Sequence, residues 1–288
     1  MQPLPLLSQS PLSLPHSATR MRVLALRQGV CGAQMDWLAT EEPLEIRVQG
    51  PDQEMVRVAI TMRTPGHDHE LAAGFLYTEG LLQAQHEIVS IHTEHSEVDQ
   101  TPCNVVTIRL SHPIAPATVQ RNFYTTSSCG ICGKASLEQI AVHCAPVAHG
   151  PVLARSVLEE LPATLRQAQQ LFAQTGGLHA SGLFDVHGHL LALREDVGRH
   201  NAVDKLVGHM LLAGNMPLAD RVLLVSGRTS LEIMQKAAMA QVPIVCAISA
   251  PSNLAVEVAR RFHVTLVGFL RDTQCNVYTH PERLALDC

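Results

Sequence analysis

The residues best suited to chemistry lie in one short stretch, Ser127-Ser128-Cys129-Gly130-Ile131-Cys132-Gly133-Lys134. Two thiols three positions apart, with glycine between them, can approach one another. The thiolate is the nucleophile, and Lys134 and loop amides would lower the thiol pKa and raise the thiolate population near neutral pH. Four readings fit such a pair. Thioredoxin-type exchange wants it at a helix start within a βαβ unit, and the Ser/Thr/Gly run of Asn122 to Lys134 does not supply that. A zinc site would use Cys129, Cys132, His143 and Cys144, but the last two are adjacent, which is awkward for one tetrahedral ion. The pair can be incidental. Or one cysteine is a mobile nucleophile that carries a group, such as a sulfane sulfur, between partners. Spacing alone leaves all four open.

Anion-binding signals cluster further on. Ser226-Gly227-Arg228-Thr229-Ser230 sits where a strand gives way to a helix. Ser226, Arg228 and Thr229 would add hydroxyls and a guanidinium to the positive end of that helix. Ligands of open α/β sheets bind at the carboxyl ends of the strands, which is this end. A second candidate follows the last expected strand: Phe269, Leu270, Arg271, Asp272, Thr273 and Gln274 offer an aromatic face and polar groups for a purine and its phosphate. His179, after Gly176-Gly177, is a weaker candidate. The charge-dense stretch Arg194 to Asn201, with Asp204-Lys205, reads either as a solvated helix start capped by Asp196 or as the polar wall of a ligand cavity. Two motifs fail. His69-Glu70-Leu71-Ala72-Ala73 has alanine where a zincin has its second histidine. His179-Ala180-Ser181 lacks the glutamate of a zinc deaminase. No metal site is expected.

These residues need elements to hold them. Residues 1–20, with four prolines and no acidic residue, read as a disordered tail rather than a signal peptide. Residues 21–121 read as a small α+β domain. In it, 43–48, 56–62 and 105–110 show strand character, and Glu70 to Glu79 forms a helix with Asp68 as N-cap and Gly80 as stop. Residues 122–150 are a flexible cysteine loop and connector. From 151 to 288, helices alternate with strands. Pro162 suits the first turn of a helix running to about Gln174; strands follow at 182–186 and 189–193, then helix 199–213, strand 221–226, helix 229–240, strand 242–248, helix 252–262 and strand 264–269. The expected class is α/β, α+β overall, with a mostly parallel sheet in a three-layer C-terminal domain.

Composition sets outer limits. Lys+Arg is 21 and Asp+Glu is 26, a formal net charge of −5, with 3% aromatic residues. That excludes a basic nucleic-acid binder and a base-stacking platform. At 46% hydrophobic the chain forms a core, yet no run of about 18 apolar residues is present to span a membrane. Eight cysteines in 288 residues are far too few for a disulfide scaffold and fit a reducing cytoplasm.

Taken together, these stretches resemble the FdhD family of formate dehydrogenase accessory sulfurtransferases. The resemblance rests on Arg63-Thr64-Pro65-Gly66, Glu70 to Leu76, Thr78-Glu79-Gly80, Ser127 to Gly133, Thr175 to Ala180, Arg194 to Lys205, Ser226 to Ser230, Gln235 to Ala238, Ser249 to Ser252 and Asn276 to Thr279. It implies a cytidine-deaminase-like C-terminal fold and a cytoplasmic homodimer. It implies a sulfur carrier: a cysteine desulfurase loads a persulfide on Cys129, with Cys132 as the second loop cysteine. The sulfur then passes to the molybdenum of the bis-molybdopterin guanine dinucleotide cofactor before that cofactor enters the formate dehydrogenase catalytic subunit. The family's cofactor-binding segment matches Phe269 to Gln274. The rival reading is a non-enzymatic chaperone that binds the same cofactor, with the loop cysteines structural.

Overall fold

A computed structural model describes residues 16–94, 104–114 and 144–286. Cys129, Cys132 and His143 lie outside the described residues. The chain begins with a hairpin of β1 (Ala18–Arg27) and β2 (Val30–Ala39). Its two-residue turn, Gln28-Gly29, has positive φ at both positions (49° and 82°), the twist that a tight antiparallel hairpin demands. Then come β3 (Glu42–Gln49), β4 (Val56–Arg63), α1 (Asp68–Thr78), β5 (Ile88–Glu94) and β6 (Val105–Leu110). β3 to β6 form a four-stranded sheet in the order β4-β3-β6-β5, with β3 and β6 parallel. Leu44, Ile46 and Val48 alternate inward along β3 and share a core with Leu71, Ala72 and Leu76 of α1.

The remainder comprises β7 (Leu153–Ala154), α2 (Arg155–Ala168), α3 (Gln170–Thr175), β8 (His179–Phe184), β9 (Leu190–Asp196), α4 (Arg199–Leu212), β10 (Val222–Val225), α5 (Leu231–Met239), β11 (Ile244–Ala247), α6 (Asn253–Arg261), β12 (Thr265–Arg271), β13 (Gln274–Thr279) and β14 (Leu284–Ala285). Six of these strands make one sheet, ordered β13-β12-β11-β10-β8-β9. Strand period two divides its residues between two faces. Val222 and Leu224 face Leu158, Leu161 and Leu165 of α2. Leu223 and Val225 face the core that holds Val203, Met234 and Val258 of α4, α5 and α6. That second core also contains the four-stranded sheet and α1, so one apolar interior runs through both parts of the chain. Among the described residues no helix is long and apolar enough to cross a membrane.

The structure refines several expectations. The α/β class with parallel strands is present, but within the six-stranded sheet parallel pairing is confined to β10, β11 and β12; β8, β9 and β13 join it by antiparallel pairing. Pro162 lies inside α2 instead of in its first turn. The apolar period of Leu158, Leu161 and Leu165 runs straight through it, and burial of all three outweighs the one backbone bond that proline forfeits. The helix stops at Gln169 and α3 begins anew. His67, at φ 59°, takes the cap position of α1. Asp68 is its first residue and turns its carboxylate to Arg63, at 2.9 and 3.0 Å. Phe269 to Gln274 is no strand-exit loop: it is the hairpin between β12 and β13, with Phe269 and Asp272 at positive φ (53° and 47°).

α1 and α4 cross with their backbones in contact. A Cβ on Gly74 would collide with the Asp204 carbonyl and stand 2.7 Å from the Gly208 amide; one on Gly208 would collide with the Glu70 carbonyl. No side-chain movement relieves a clash with backbone. Gly208→Ala is therefore expected to destabilise the fold by about 2–3 kcal/mol, as overpacking of a tight core does, read as a lowered urea midpoint with an unchanged m-value.

Candidate functional site

The charged stretch 194–205 is not a solvated helix start. β9 carries Asp196 into the interior, where its side chain is 0% exposed, and α4 places Lys205 opposite it at 2.6 Å, 1% exposed. The remaining lone pairs of Asp196 take the amides of Thr64 and Gly198 and the side chain of Asn201, at 2.8 to 3.1 Å. Lys205 also donates to the Thr64 carbonyl at 2.8 Å, and Asn201 to the Met62 carbonyl at 2.7 Å. A buried pair survives only when its other hydrogen-bonding capacity is filled, and here the end of β4 fills it.

A second buried cluster lies along the same helix. Lys236 Nζ of α5 stands 3.0 Å from both Asp204 Oδ1 and Thr78 Oγ1, and 3.3 Å from Glu79. Burial works to lower its pKa, but Asp204 and Glu79 outweigh it, so the ammonium stays charged. Towards the surface, Glu70 accepts from Arg194 at 2.7 Å and from His209 at 3.0 Å. Burial would raise the Glu70 pKa; the bonds from Arg194, His209 and His67 hold it far below the ordinary carboxylate range.

The sequence-predicted anion residues meet where β10 ends. Ser226 Oγ accepts from the Ala180 amide at 2.9 Å, which ties β10 to β8. A Cβ on Gly227 would lie 3.2 Å from His179 Nδ1 and 3.8 Å from Arg199 Cβ, so the absent side chain leaves room for both. Thr229 bridges to Pro251, after β11, through its own amide and carbonyl. Phe269, at the end of β12, donates its amide to Ser249. Thus Ser226, Arg228, Thr229, His179 and the Phe269 segment share the carboxyl edge of the three parallel strands. In that segment Leu270 is buried, while Phe269, Arg271, Asp272, Thr273 and Gln274 are exposed.

Sequence reasoning took Arg199 and His200 only as members of the charged stretch Arg194 to Asn201, one reading of which was the polar wall of a ligand cavity. They open α4 and face this group from the other side, with His200 Nε2 3.3 Å from Ser230 Oγ. Burial and the Arg199 charge depress the His179 pKa, with Arg228 adding to the effect against Asp196. Burial, then Lys236 and Arg199, push His200 down to about 4. Both imidazoles are neutral at pH 7. The signal available beforehand was Gly198-Arg199 at a helix start, hidden in a run of charge.

The loop cysteines Cys129 and Cys132 lie outside the described residues. Cys144, one of the zinc ligands considered, is buried beside Gln241 Nε2 at 3.6 Å, and burial pushes its thiol up to about 11. A thiol of that pKa is a poor ligand and nucleophile. Among the described residues no group of three or more His, Cys, Asp or Glu side chains is placed to hold a metal ion.

The sequence profile described as the FdhD/NarQ family matches residues 39–285. A protein of Streptomyces coelicolor named sulfur carrier protein FdhD is 48% identical over 274 residues, covering 93% of this chain and 95% of that protein. One of the same name from Sulfurisphaera tokodaii is 42% identical, covering 92% and 98%. The crystal structure of a putative formate dehydrogenase accessory protein from Desulfotalea psychrophila superimposes with a TM-score of 0.72 at 26% identity, covering 93% of this chain and 99% of that one.

Two outcomes follow from the charges. Lys205→Met strands the Asp196 carboxylate in the interior and is expected to cost about 3–5 kcal/mol; Asp196→Asn in the same chain should recover part of the urea midpoint. His200 binds a proton in the unfolded chain near the ordinary 6.5 but in the native protein only near 4. Its contribution to stability is complete above about pH 6.5 and is lost as pH falls from there towards 4. His200→Gln should flatten the decline of unfolding free energy across that window.

Proposed function

This chain belongs to the FdhD/NarQ family, and on that premise we propose that it is a sulfur carrier in formate dehydrogenase maturation, acting as a sulfurtransferase through a persulfide on Cys129. The Cys129 thiolate attacks the terminal sulfur of a cysteine desulfurase persulfide. A new S–S bond forms at Cys129, the old one breaks, and the desulfurase cysteine leaves as thiolate, with no net oxidation. The terminal sulfur of a persulfide is more acidic and softer than a thiol, which suits delivery to a soft metal centre. The recipient is the molybdenum of the bis-molybdopterin guanine dinucleotide cofactor, destined for the formate dehydrogenase catalytic subunit. The observation that carries this reading is Cys129-Gly130-Ile131-Cys132 within a chain of this family, with Cys132 as the second loop cysteine.

Cofactor binding is assigned to the carboxyl edge of β10 to β12. Phe269, exposed at the hairpin, offers a face for guanine. Arg271, Asp272, Thr273 and Gln274 supply polar contacts around Leu270, and Ser226, Arg228, Thr229 and His179 stand along the same edge. No resident metal is assigned, and the place of action is the cytoplasm. The working unit is a homodimer: Leu24, Leu26 and Val30 of the first hairpin and Ile60 of β4 are each more than half exposed, an apolar surface that favours burial against a second copy.

Intact mass after incubation with a cysteine desulfurase and cysteine tests the carrier. The wild type should gain one sulfur, Cys129→Ala should gain none, and binding of the cofactor should survive in that variant. Cofactor binding without any sulfur gain in the wild type would leave a binding chaperone in place of a carrier.

A further inference from the structure

The ribbon of β1 and β2 gives nothing to the apolar interior: neither core draws a residue from positions 18–39. Its base is tied down. Thr40 donates its amide to the Ser17 carbonyl, Ser17 Oγ donates to the Pro65 carbonyl at 2.8 Å, and Ala39 packs on the open side of Gly177. Beyond the base, both faces carry apolar side chains into solvent. Strand period and pairing put Leu24, Leu26 and Trp37 on one face, Met21 and Val30 on the other. Leu24 is 75% exposed and Val30 72%. A two-stranded hairpin standing alone is marginal in water and needs a further surface to be stable.

β4 has the matching deficiency. It is an edge strand, paired with β3 on one side, and among the described residues no strand pairs with its other side. Ile60 and Met62 are 57% and 47% exposed along it. A long, apolar free edge is a template for another strand, and native proteins cover it. We propose that in the homodimer the ribbon of each copy lies along the free edge of the partner's β4, a reciprocal exchange of arms in which main-chain pairing and apolar burial act together. The lengths agree: β1 and β2 have ten residues each, β4 eight. Seven large apolar residues of the ribbon and three of β4 are at least 38% exposed. Together they offer an area on the order of 800 Å², the share each partner gives to a standard interface. Charge selects β4 over a second ribbon. Two ribbons laid together would set Arg20, Arg22 and Arg27 against their own copies, and like charges across a strand pair are unfavourable; β4 carries one exposed arginine, Arg57. A two-fold axis makes both contacts at once.

The inference rests on the homodimer reading above, and its test lets the two fail separately. Light scattering and sedimentation of the full chain would compare the wild type, the double variant Leu24→Asp/Leu26→Asp and the variant Ile60→Asp. All three positions lie outside both cores. The wild type should be a dimer, and each variant should raise the dimer dissociation constant by about a hundredfold or more. An equimolar mixture of the two variants should recover heterodimer, because the intact ribbon of one chain meets the intact β4 of the other. Trp37 is the one tryptophan of the chain and sits on the ribbon, so wild-type emission should move to longer wavelength as dilution separates the copies, a readout free of any folding defect in a variant. A dimer indifferent to Ile60→Asp, variants that stay monomeric on mixing, or Trp37 emission unchanged through dissociation would overturn the exchange and leave the homodimer standing. A wild type monomeric at every concentration would overturn both.

Discussion

The ion pair of Asp196 and Lys205 is the constraint around which this molecule is arranged. Its two charges are removed from water almost completely, a state that is tolerable only if every partner arrives together. The partners come from three places: the end of β4 through Thr64, the turn after β9 through Gly198, and the first turn of α4 through Asn201. Satisfying the pair therefore joins the N-terminal sheet to the C-terminal one. It also sets where α4 begins, and with it the position of Arg199.

Close backbone approach completes the joint. With glycine at 74 and 208, α1 and α4 touch at a distance no other residue permits. This brings Thr78 and Glu79 over the Asp204–Lys236 pair. Polar groups and small residues thus do between these helices what apolar side chains do between α2 and the sheet. A seam of this kind tolerates little slack, because a half-satisfied network is worse than none.

Against that fully engaged seam, the carboxyl edge of β10, β11 and β12 stands out as the place where polar groups are left over. Helix starts without side-chain caps, exposed arginines, a buried hydroxyl without a partner and an exposed phenylalanine at positive φ lie along one border. The sulfur chemistry proposed for Cys129 belongs to a different stretch of chain.

Much of this was legible in the residues. The alternation of Leu44, Ile46 and Val48, the apolar run of Val222 to Val225 and the glycine stop after α1 are local patterns, and local patterns are written in sequence. So were the cysteine pair and the strand-to-helix turn at Ser226, since each depends on residue types at short spacing. Other features depended on partners far along the chain. The hairpin of β1 and β2 shows no burial alternation, so no period announced it. β13 was missed because its pairing with β12 runs through an irregular register. Pro162 sits inside α2 because the sheet rewards the leucines on either side of it. The charge run from Arg194 to Lys205 has the composition of a solvated surface; only the arrival of Thr64, more than a hundred residues earlier, turned its centre into an interior. Periodicity and residue chemistry are properties of neighbours in sequence, whereas desolvation is a property of neighbours in space, and that difference marks what the fold alone could decide.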